Sequence, residues 1–407
     1  MQSLEVVLSW GHEDVPVGTL AVRGHRVYFE YAPSFIADPL PISPFKLPVR
    51  GGVFEHADRD FADLFGVFND SLPDGWGLLL MDREFRKRGL DPAAATPLDR
   101  LAYIGTRGMG ALTYHPPRDA EERRLVIDLG AVARQAERVL EGSAEGVLPA
   151  LRIAGGSPAG ARPKVLVGMG ADGRLVSGTA DLPPGYRHFL VKFHAREDPA
   201  DVGAVEWAYS AMAAAAGVDV PPARLFETGD GTRYFGAERF DRAGNARLHM
   251  HSLSGLLHAS HRVPSMDYEG LLRATRALAR DERQVEEAFR RMVFNVLAHN
   301  RDDHVKNFSF LMDRRGEWRL APAYDLVFCT GPRGEHTMAV AGEARRPAKA
   351  DMLRVAETCG IDAGRAKQLL GEVGAAVDRW PELAREGGIS GARIREIAAA
   401  FQTARAG

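Results

Sequence analysis

The stretch AHNRDDHVKNFSFLMDRRGEWRLAPAYDL, from Ala298 to Leu326, carries the most specific pattern in the chain. Asp302 is followed after four residues by Asn307, then by an apolar strand, an Arg-Gly turn, a second strand and Asp325. Phosphoryl transfer from ATP needs a carboxylate that accepts the proton of the attacking hydroxyl, and an Asn and an Asp that hold Mg²⁺ against the phosphates. The pattern therefore predicts Asp302 as the base, with Asn307 and Asp325 as metal ligands.

The Asp-x-x-x-x-Asn spacing is that of a protein-kinase catalytic loop. Two other interpretations of the same residues remain open. Asp and Asn are common in solvated turns, so the loop could be an ordinary polar connection. His299, Asp302, Asp303 and His304 could also bind a transition metal, although Mg²⁺ with its preference for oxygen ligands explains more of the pattern.

Two segments upstream complete the order of a kinase core. The stretch Gly155–Lys164 is Gly-rich and could approach phosphates closely, although such strings usually mark ordinary loops. Lys192 lies within an apolar strand and would pair with phosphates and with a helix carboxylate, for which Glu206 is the candidate. The alternative for Lys192 is a solvated position on an edge strand.

The segment YFGAERFDR, which ends at Arg242, lies where the β-rich part of the chain gives way to a mostly helical part. This is the position of a hinge between two lobes. Backbone groups of Glu238, Arg239 and Phe240 could receive adenine, while Phe240 could equally belong to an interdomain core.

The composition is that of a folded intracellular protein. The chain has 407 residues, of which 45% are hydrophobic and 26% charged, and its net charge of −2 argues against a general nucleic-acid coat. Cys329 and Cys359 are too few for a disulfide framework. No secretory signal and no run of 18 apolar residues is evident, so we expect a cytoplasmic protein without a membrane segment.

Taken together, these motifs resemble those of the HipA family, the serine/threonine-kinase toxins of bacterial type II toxin-antitoxin modules. The resemblance covers nearly the whole chain. Its motifs are SLPDGWG (71–77), RGMGAL (107–112), SPAGARPK (157–164), the strand lysine Lys192, ERFDR (238–242), DDHVKNFS (302–309) and PAYDL (322–326).

The resemblance implies an α+β, two-lobed protein-kinase-like fold. Residues 1–115 would form the N-terminal HipA-type subdomain, and residues 116–240 a β-rich kinase lobe with the nucleotide loop. Residues 241–407 would form an all-helical C-terminal lobe, with ATP between the two lobes.

The family's site residues can be carried over to matching positions. Asp302 would be the catalytic base, Asn307 and Asp325 the Mg²⁺ ligands, and Ser157 the site of inhibitory autophosphorylation. The residues that would contact ATP are Ser157, Ala159, Gly160, Ala161, Arg162, Lys164, Lys192, Glu238, Arg239, Phe240, His304, Lys306, Asn307 and Tyr324. Asp303 departs from the family pattern by adding an acid beside the base.

The implied function is an ATP- and Mg²⁺-dependent Ser/Thr protein kinase that acts as a toxin. Its substrate would be a translation component such as an aminoacyl-tRNA synthetase. Its partner would be a HipB-like helix-turn-helix antitoxin, through which alone it would reach DNA. Two alternatives stay open: a small-molecule phosphotransferase, and a nucleotide-binding, non-catalytic partner of the antitoxin.

Overall fold

The structure is a computed structural model of the chain. It describes residues 3–56, 61, 64–118, 125–143, 149–155, 160, 162–179, 181–195, 197–262 and 266–405.

The N-terminal part is a curved antiparallel sheet with short helices. Within the described residues the strand order is β4-β3-β2-β1-β5, and the first four strands pair with their neighbours along the chain as an antiparallel meander. Alternate residues of β1 and β3 are buried, as period-2 patterning requires. The elements are β1 (Ser3–Ser9), β2 (Asp14–Arg23), β3 (Arg26–Tyr31), α1 (Pro33–Ala37), β4 (Val53–His56), α2 (Gly66–Asn69), α3 (Gly75–Lys87), α4 (Pro97–Ile104) and β5 (Leu112–His115).

A second antiparallel sheet forms the β-rich lobe. In the described ranges its strand order is β7-β6-β8-β10-β9, which places β8 at the centre. Lys192, the last residue of β8, is therefore not on an edge strand, and the solvated-edge interpretation is wrong. The elements are α5 (Leu129–Leu140), α6 (Pro149–Gly155), β6 (Lys164–Met169), β7 (Leu175–Ser177), β8 (Arg187–Lys192), α7 (Val202–Ala215), β9 (Ala223–Glu227) and β10 (Arg233–Glu238).

The C-terminal lobe is mostly helical. Its elements are β11 (Arg242–Ala243), β12 (Ala246–Arg247), β13 (His249–Ser252), α8 (Leu253–Leu257), α9 (Tyr268–Ala279), α10 (Glu282–Leu297), a 3₁₀ turn (Val305–Asn307), β14 (Ser309–Met312), β15 (Trp318–Leu320), a second 3₁₀ turn (Pro332–Gly334), α11 (Lys349–Thr358), α12 (Ala363–Val377), α13 (Trp380–Glu386) and α14 (Gly391–Arg405).

The expectation of an all-helical C-terminal lobe is wrong, although the α+β class is confirmed. The strands β13, β14 and β15 form an antiparallel sheet of three strands over the described residues. All four residues of β14 are buried, so both edges of its backbone need hydrogen-bond partners. The hairpin strand β15 supplies one edge and β13 supplies the other.

The hydrophobic cores do not follow the boundaries of the three segments. One core joins the N-terminal sheet to the C-terminal helices and includes Leu4, Tyr209 of α7 and Trp380 of α13. A second core lies under the β-rich sheet and takes in Trp76 and Leu80 from α3. Helix α3 thus packs into the β-rich lobe. No helix in the described part of the chain is both long and apolar enough to cross a bilayer.

Candidate active site

The predicted catalytic loop connects the end of α10 to β14. Asn307 Nδ2 donates to the backbone carbonyl of Asp302 over 2.7 Å and holds the loop closed. His304 Nε2 lies 3.9 Å from Asp302 Oδ1, and the Asp302 side chain is 51% exposed. The loop therefore presents the Asp302 carboxylate where an incoming hydroxyl can reach it.

The surroundings of Asp302 make it a stronger base than an ordinary aspartate. Partial burial raises the pKa of Asp302, and the carboxylates of Asp325 and Asp303 raise it further. His304 acts in the opposite direction but does not cancel these effects. A raised pKa favours acceptance of a proton during catalysis.

Asp303 faces the interior of the lobe, in contrast to its neighbour. Its carboxylate accepts hydrogen bonds from the Tyr268 hydroxyl at 2.7 Å, from His336 Nδ1 at 2.8 Å and from the Thr337 backbone N–H at 2.8 Å. It is committed to these partners and is not free to bind a transition metal with Asp302. No group of three or more His, Cys, Asp or Glu side chains placed to hold a metal ion occurs among the described residues.

The strand lysine, the helix glutamate and the second aspartate meet in the structure. Lys192 Nζ donates to both Glu206 Oε1 and Asp325 Oδ1. Burial opposes the charge on Lys192, but the two carboxylates hold its pKa above the usual range. Burial likewise opposes the charge on Asp325, while Lys192 and Lys164 hold its pKa well below the usual range. Lys192 and Asp325 are therefore ionised, whereas burial raises the pKa of the third group, Glu206.

Lys164 adds a second buried amine beside Lys192. It lies opposite Lys192 in the pairing of β6 with β8, so the two side chains share one face of the sheet. The Lys164 residue is 4% exposed, and burial lowers its pKa, with a smaller contribution from Lys192. Asp325, Glu206 and Asp74 lie near enough to raise it in part. The sheet thus directs two lysines at one cleft.

The cleft lies between the β-rich lobe and the C-terminal lobe, and the N-terminal part closes one side. Asp302 lies beside it, on an adjoining small cavity that shares Asn307 and Tyr324. The sequence-predicted residues that line the cleft are Gly160, Lys164, Lys192, Glu206, Glu238, Arg239, Phe240, His304, Lys306, Asn307, Tyr324 and Asp325.

The remaining members of the predicted nucleotide loop are placed as follows. Arg162 pairs with Asp198 at 3.0 Å and is not among the residues that line the cleft. It still lies near enough to lower the pKa of Asp302. Ser157, Ala159 and Ala161 lie outside the described residues.

The hinge is fixed by a buried ion pair. Arg239 is bidentate to Asp241, with distances of 2.9 and 2.7 Å, and neither side chain is more than 1% exposed. The backbone N–H groups of Glu238 and Arg239 donate to the carbonyls of Pro222 and His188. The Phe240 ring packs on Tyr324 with centroids 5.5 Å apart.

Tyr324 connects the hinge side of the cleft to the catalytic loop. Its hydroxyl donates to the Lys306 carbonyl over 2.7 Å and shares a hydrogen bond of 2.6 Å with the Ser309 hydroxyl. These hydrogen bonds hold Tyr324, the residue directly before Asp325, in the lining of the cleft.

Asp74, for which the sequence pattern predicts no chemical role, also lines the cleft. Its carboxylate contacts Gly160 of the nucleotide loop and Lys306 of the catalytic loop. The motif 71–77 resembles one of the family's motifs, but its Pro-Asp-Gly run is locally an ordinary turn signal and predicts no contact with the cleft.

The fold and the cleft define a two-lobed, protein-kinase-like protein. The family model described as the HipA-like C-terminal domain matches residues 156–380, and that of the HipA N-terminal domain matches residues 7–115. The chain belongs to the HipA family.

Known proteins that are similar to the chain include a solved structure and a curated relative. HipA of Shewanella oneidensis MR-1, solved in a complex with HipB and its operator DNA, superposes with a TM-score of 0.73 at 18% identity, covering 99% of this chain and 96% of that one. The protein named "Putative kinase Y4mE" of Sinorhizobium fredii (strain NBRC 101917 / NGR234) is 34% identical over 129 residues. That match spans 28% of this chain and only 30% of the relative.

Proposed function

We propose that this protein is an ATP- and Mg²⁺-dependent serine/threonine protein kinase that acts as the toxin of a toxin-antitoxin module. The observation that carries the proposal is the meeting of Lys192, Glu206 and Asp325 at one cleft beside the Asp302–Asn307 loop. These parts are the ones that phosphoryl transfer requires. A protein that only senses nucleotide has no need of the base.

ATP would lie with its adenine at the hinge and its phosphates toward the lysines. Because the N–H groups of Glu238 and Arg239 are already bonded, the Phe240 N–H is the candidate donor to adenine. Lys164 and Lys192 would neutralise phosphate charge. His304 adds a buried Nδ1 atom that has no hydrogen-bond partner among the described residues and is therefore available to a ligand.

The oxygen donors present fit Mg²⁺. Asn307 uses its Nδ2 group within the loop, which leaves Oδ1 for a cation, and Asp325 supplies an ionised carboxylate. Carboxylate and amide oxygens together with substrate phosphates are the ligands that Mg²⁺ takes in kinases. When bound, the metal would neutralise charge that develops on the phosphates.

Asp302 would supply the proton transfer. The oxygen of a Ser or Thr hydroxyl would attack the γ-phosphorus, its proton would pass to the Asp302 carboxylate, and the bond from the γ-phosphorus to the bridging oxygen would break to release ADP. The half-exposed position of Asp302 suits an acceptor hydroxyl delivered by another protein.

The partners follow from the family. We propose a HipB-like helix-turn-helix antitoxin, a translation component such as an aminoacyl-tRNA synthetase as substrate, and contact with DNA only through the antitoxin. The complex of the Shewanella protein with HipB and operator DNA supports the first and the last. Autophosphorylation at Ser157 is part of the same proposal.

Substrate profiling tests the proposal. The purified chain is incubated with Mg²⁺ and ATP labelled at the γ-phosphate, separately with a cell lysate and with a panel of small hydroxyl compounds. We expect label on proteins, lost in Asp302→Asn and Asp325→Asn and retained in Asp38→Asn, an exposed control. Label on a small compound alone would contradict the protein-kinase assignment.

A further inference from the structure

The motif Ser71–Gly77 includes the start of helix α3, and the N-cap side chain of this helix does not cap it. Asp74 is the N-cap residue of α3, yet its side chain makes no capping hydrogen bond to that helix. An N-cap aspartate ordinarily accepts from the N–H groups of its own first turn. The Asp74 carboxylate is directed at other parts of the chain instead.

Both oxygens of Asp74 hold segments assigned to nucleotide binding. Oδ1 accepts the backbone N–H of Gly160, and Oδ2 accepts from Lys306 Nζ at 3.0 Å. Trp76, in the first turn of α3, reinforces the contact between Asp74 and Gly160. The Trp76 N–H donates to the Gly160 carbonyl over 3.2 Å, and its indole N–H donates to the Lys164 carbonyl over 3.1 Å.

The groups around Asp74 favour the ionised form of its carboxylate. Burial opposes ionisation of Asp74, but Lys306, the Gly160 N–H and Lys164 together hold its pKa below the usual range. Charge-assisted hydrogen bonds of this kind are stronger than those between neutral groups. The carboxylate is therefore an ionised bridge between two loops.

The backbone conformation at Gly160 and the space beside it both favour a glycine. Its φ of +106° is in the left-handed range, and a Cβ atom there would clash with Lys164 Nζ. The loop thus turns sharply at the residue that Asp74 holds, and the Lys164 amine lies directly against that turn.

We propose that Asp74 is a positioning residue of the kinase site, which holds the nucleotide loop at Gly160 and the catalytic loop at Lys306 in fixed register. The inference rests on the proposed function and assigns a role to the N-terminal subdomain within it. Lys306 has three N–H donors, of which one serves Asp74, so the amine keeps donors for a phosphate. In this proposal Asp74 acts through Gly160 and Lys306.

The first test separates binding of ATP from turnover. Asp74→Asn keeps the shape of the side chain but removes its charge, and we expect it to raise the KM for ATP and the Kd of a fluorescent ATP analogue about tenfold, with kcat changed less than about twofold. The matched control is Asp82→Asn, on the same helix, where Asp82 pairs with Arg100 at 2.8 Å away from the cleft. Its ATP constants should equal those of the wild type.

A double-mutant cycle with Lys306→Gln tests the bridge directly. If Asp74 acts through Lys306, the losses in ATP affinity should be less than additive in the double variant. Full additivity, unchanged ATP constants in Asp74→Asn, or tighter ATP binding in Asp74→Asn would each overturn the inference. Tighter binding would mean that Asp74 competes with the phosphates.

A readout without nucleotide keeps the inference separate from the proposed function. In the ligand-free protein, amide hydrogen exchange of the peptide containing Gly160 and Arg162 should be faster in Asp74→Ala than in the wild type and unchanged in Asp82→Asn. Equal exchange in Asp74→Ala would contradict the inference. A wild type that neither binds ATP nor transfers phosphate would contradict the proposed function, whatever the exchange result.

Discussion

At the scale of single residues, the candidate site is built from charged side chains that meet from distant parts of the chain. Lys192, Glu206 and Asp325 were singled out by their order along the chain, and the structure brings them into contact. Asp74 could not be found in this way, because its partners lie 86 and 232 residues away and its local position predicts a helix cap.

The raised pKa of Asp302 gives a pH prediction. The base works only when ionised, so kcat/KM for ATP-dependent transfer should fall as the pH drops through the pKa of Asp302. Because burial and the neighbouring carboxylates raise that pKa above 3.8, the acid limb should lie at higher pH than for an ordinary aspartate. A pH–rate profile over the stable range measures it, and a limb at or below the ordinary value would contradict the account.

At the scale of secondary-structure elements, the catalytic loop depends on a buried network. Asn300 donates to Asn295 of α10, Asn295 donates to the Tyr268 hydroxyl of α9, and Tyr268 donates to Asp303. The network continues to His336, in the segment that precedes α11. Asp303, which the sequence presented as an extra acid beside the base, fastens the loop to the lobe.

Substitution of Asp303 should therefore lower the stability of the protein, whereas substitution of Asp302 should lower its activity. Asp303→Ala leaves two buried donors, on Tyr268 and His336, and the half-buried Thr337 N–H without their acceptor, so we expect the free energy of unfolding to fall by about 3 kcal/mol. Asp302→Asn, at a half-exposed position, should change it by less than about 0.5 kcal/mol while abolishing transfer. Urea unfolding of both variants beside the wild type checks this, and equal stability of Asp303→Ala would refute the network's role.

Only the β14–β15 hairpin of the sheet in the C-terminal lobe is predictable from the sequence, and the pairing of β13 with it is not. The hairpin of β14 and β15 has apolar runs around an Arg-Gly turn, which is a local signal. The sequence HMHS of β13 has no such alternation, and its partner Met312 lies far along the chain from His249. Pairing of this kind is fixed by tertiary packing and not by local propensity.

At the scale of the whole molecule, the family motifs contact one another across the segments. Asp241, fully buried, accepts the Gly110 N–H at 2.7 Å and pairs with Arg239 and Arg242. Arg242 in turn donates to the carbonyls of Gly108 and Gly110. The motif at 238–242 thus fastens the hinge to the motif at 107–112. Neither sequence alone indicates this, because both contain ordinary turn and strand residues.

Loss of the Asp241 carboxylate should destabilise the whole molecule. Asp241→Ala leaves two buried guanidinium groups without their partner, at a cost of about 3 to 5 kcal/mol of unfolding free energy. Burial opposes ionisation of Asp241, but the two arginines hold its pKa below 3.8. Its contribution is therefore present above about pH 4 and is lost as the pH falls below that value.

Denaturant unfolding at neutral pH and below about pH 4 measures this contribution. The difference between wild type and Asp241→Ala should be largest at neutral pH and should not increase on acidification. Arg26→Ala, which removes an exposed ion pair with Glu55, serves as the control and should cost less than about 1 kcal/mol. A stable Asp241→Ala protein would contradict the role of this cluster.

We propose that Asp302, Asn307, Asp325 and Lys192 form a working phosphoryl-transfer site. The most direct measurement is to incubate the purified chain with ATP and Mg²⁺ and to locate phosphate by intact mass and peptide mass spectrometry, with Asp302→Asn as the control. We expect phosphate on Ser157 of the wild type and none on the variant. Measurable ATP binding with no phosphate on the chain or on any added protein would contradict it.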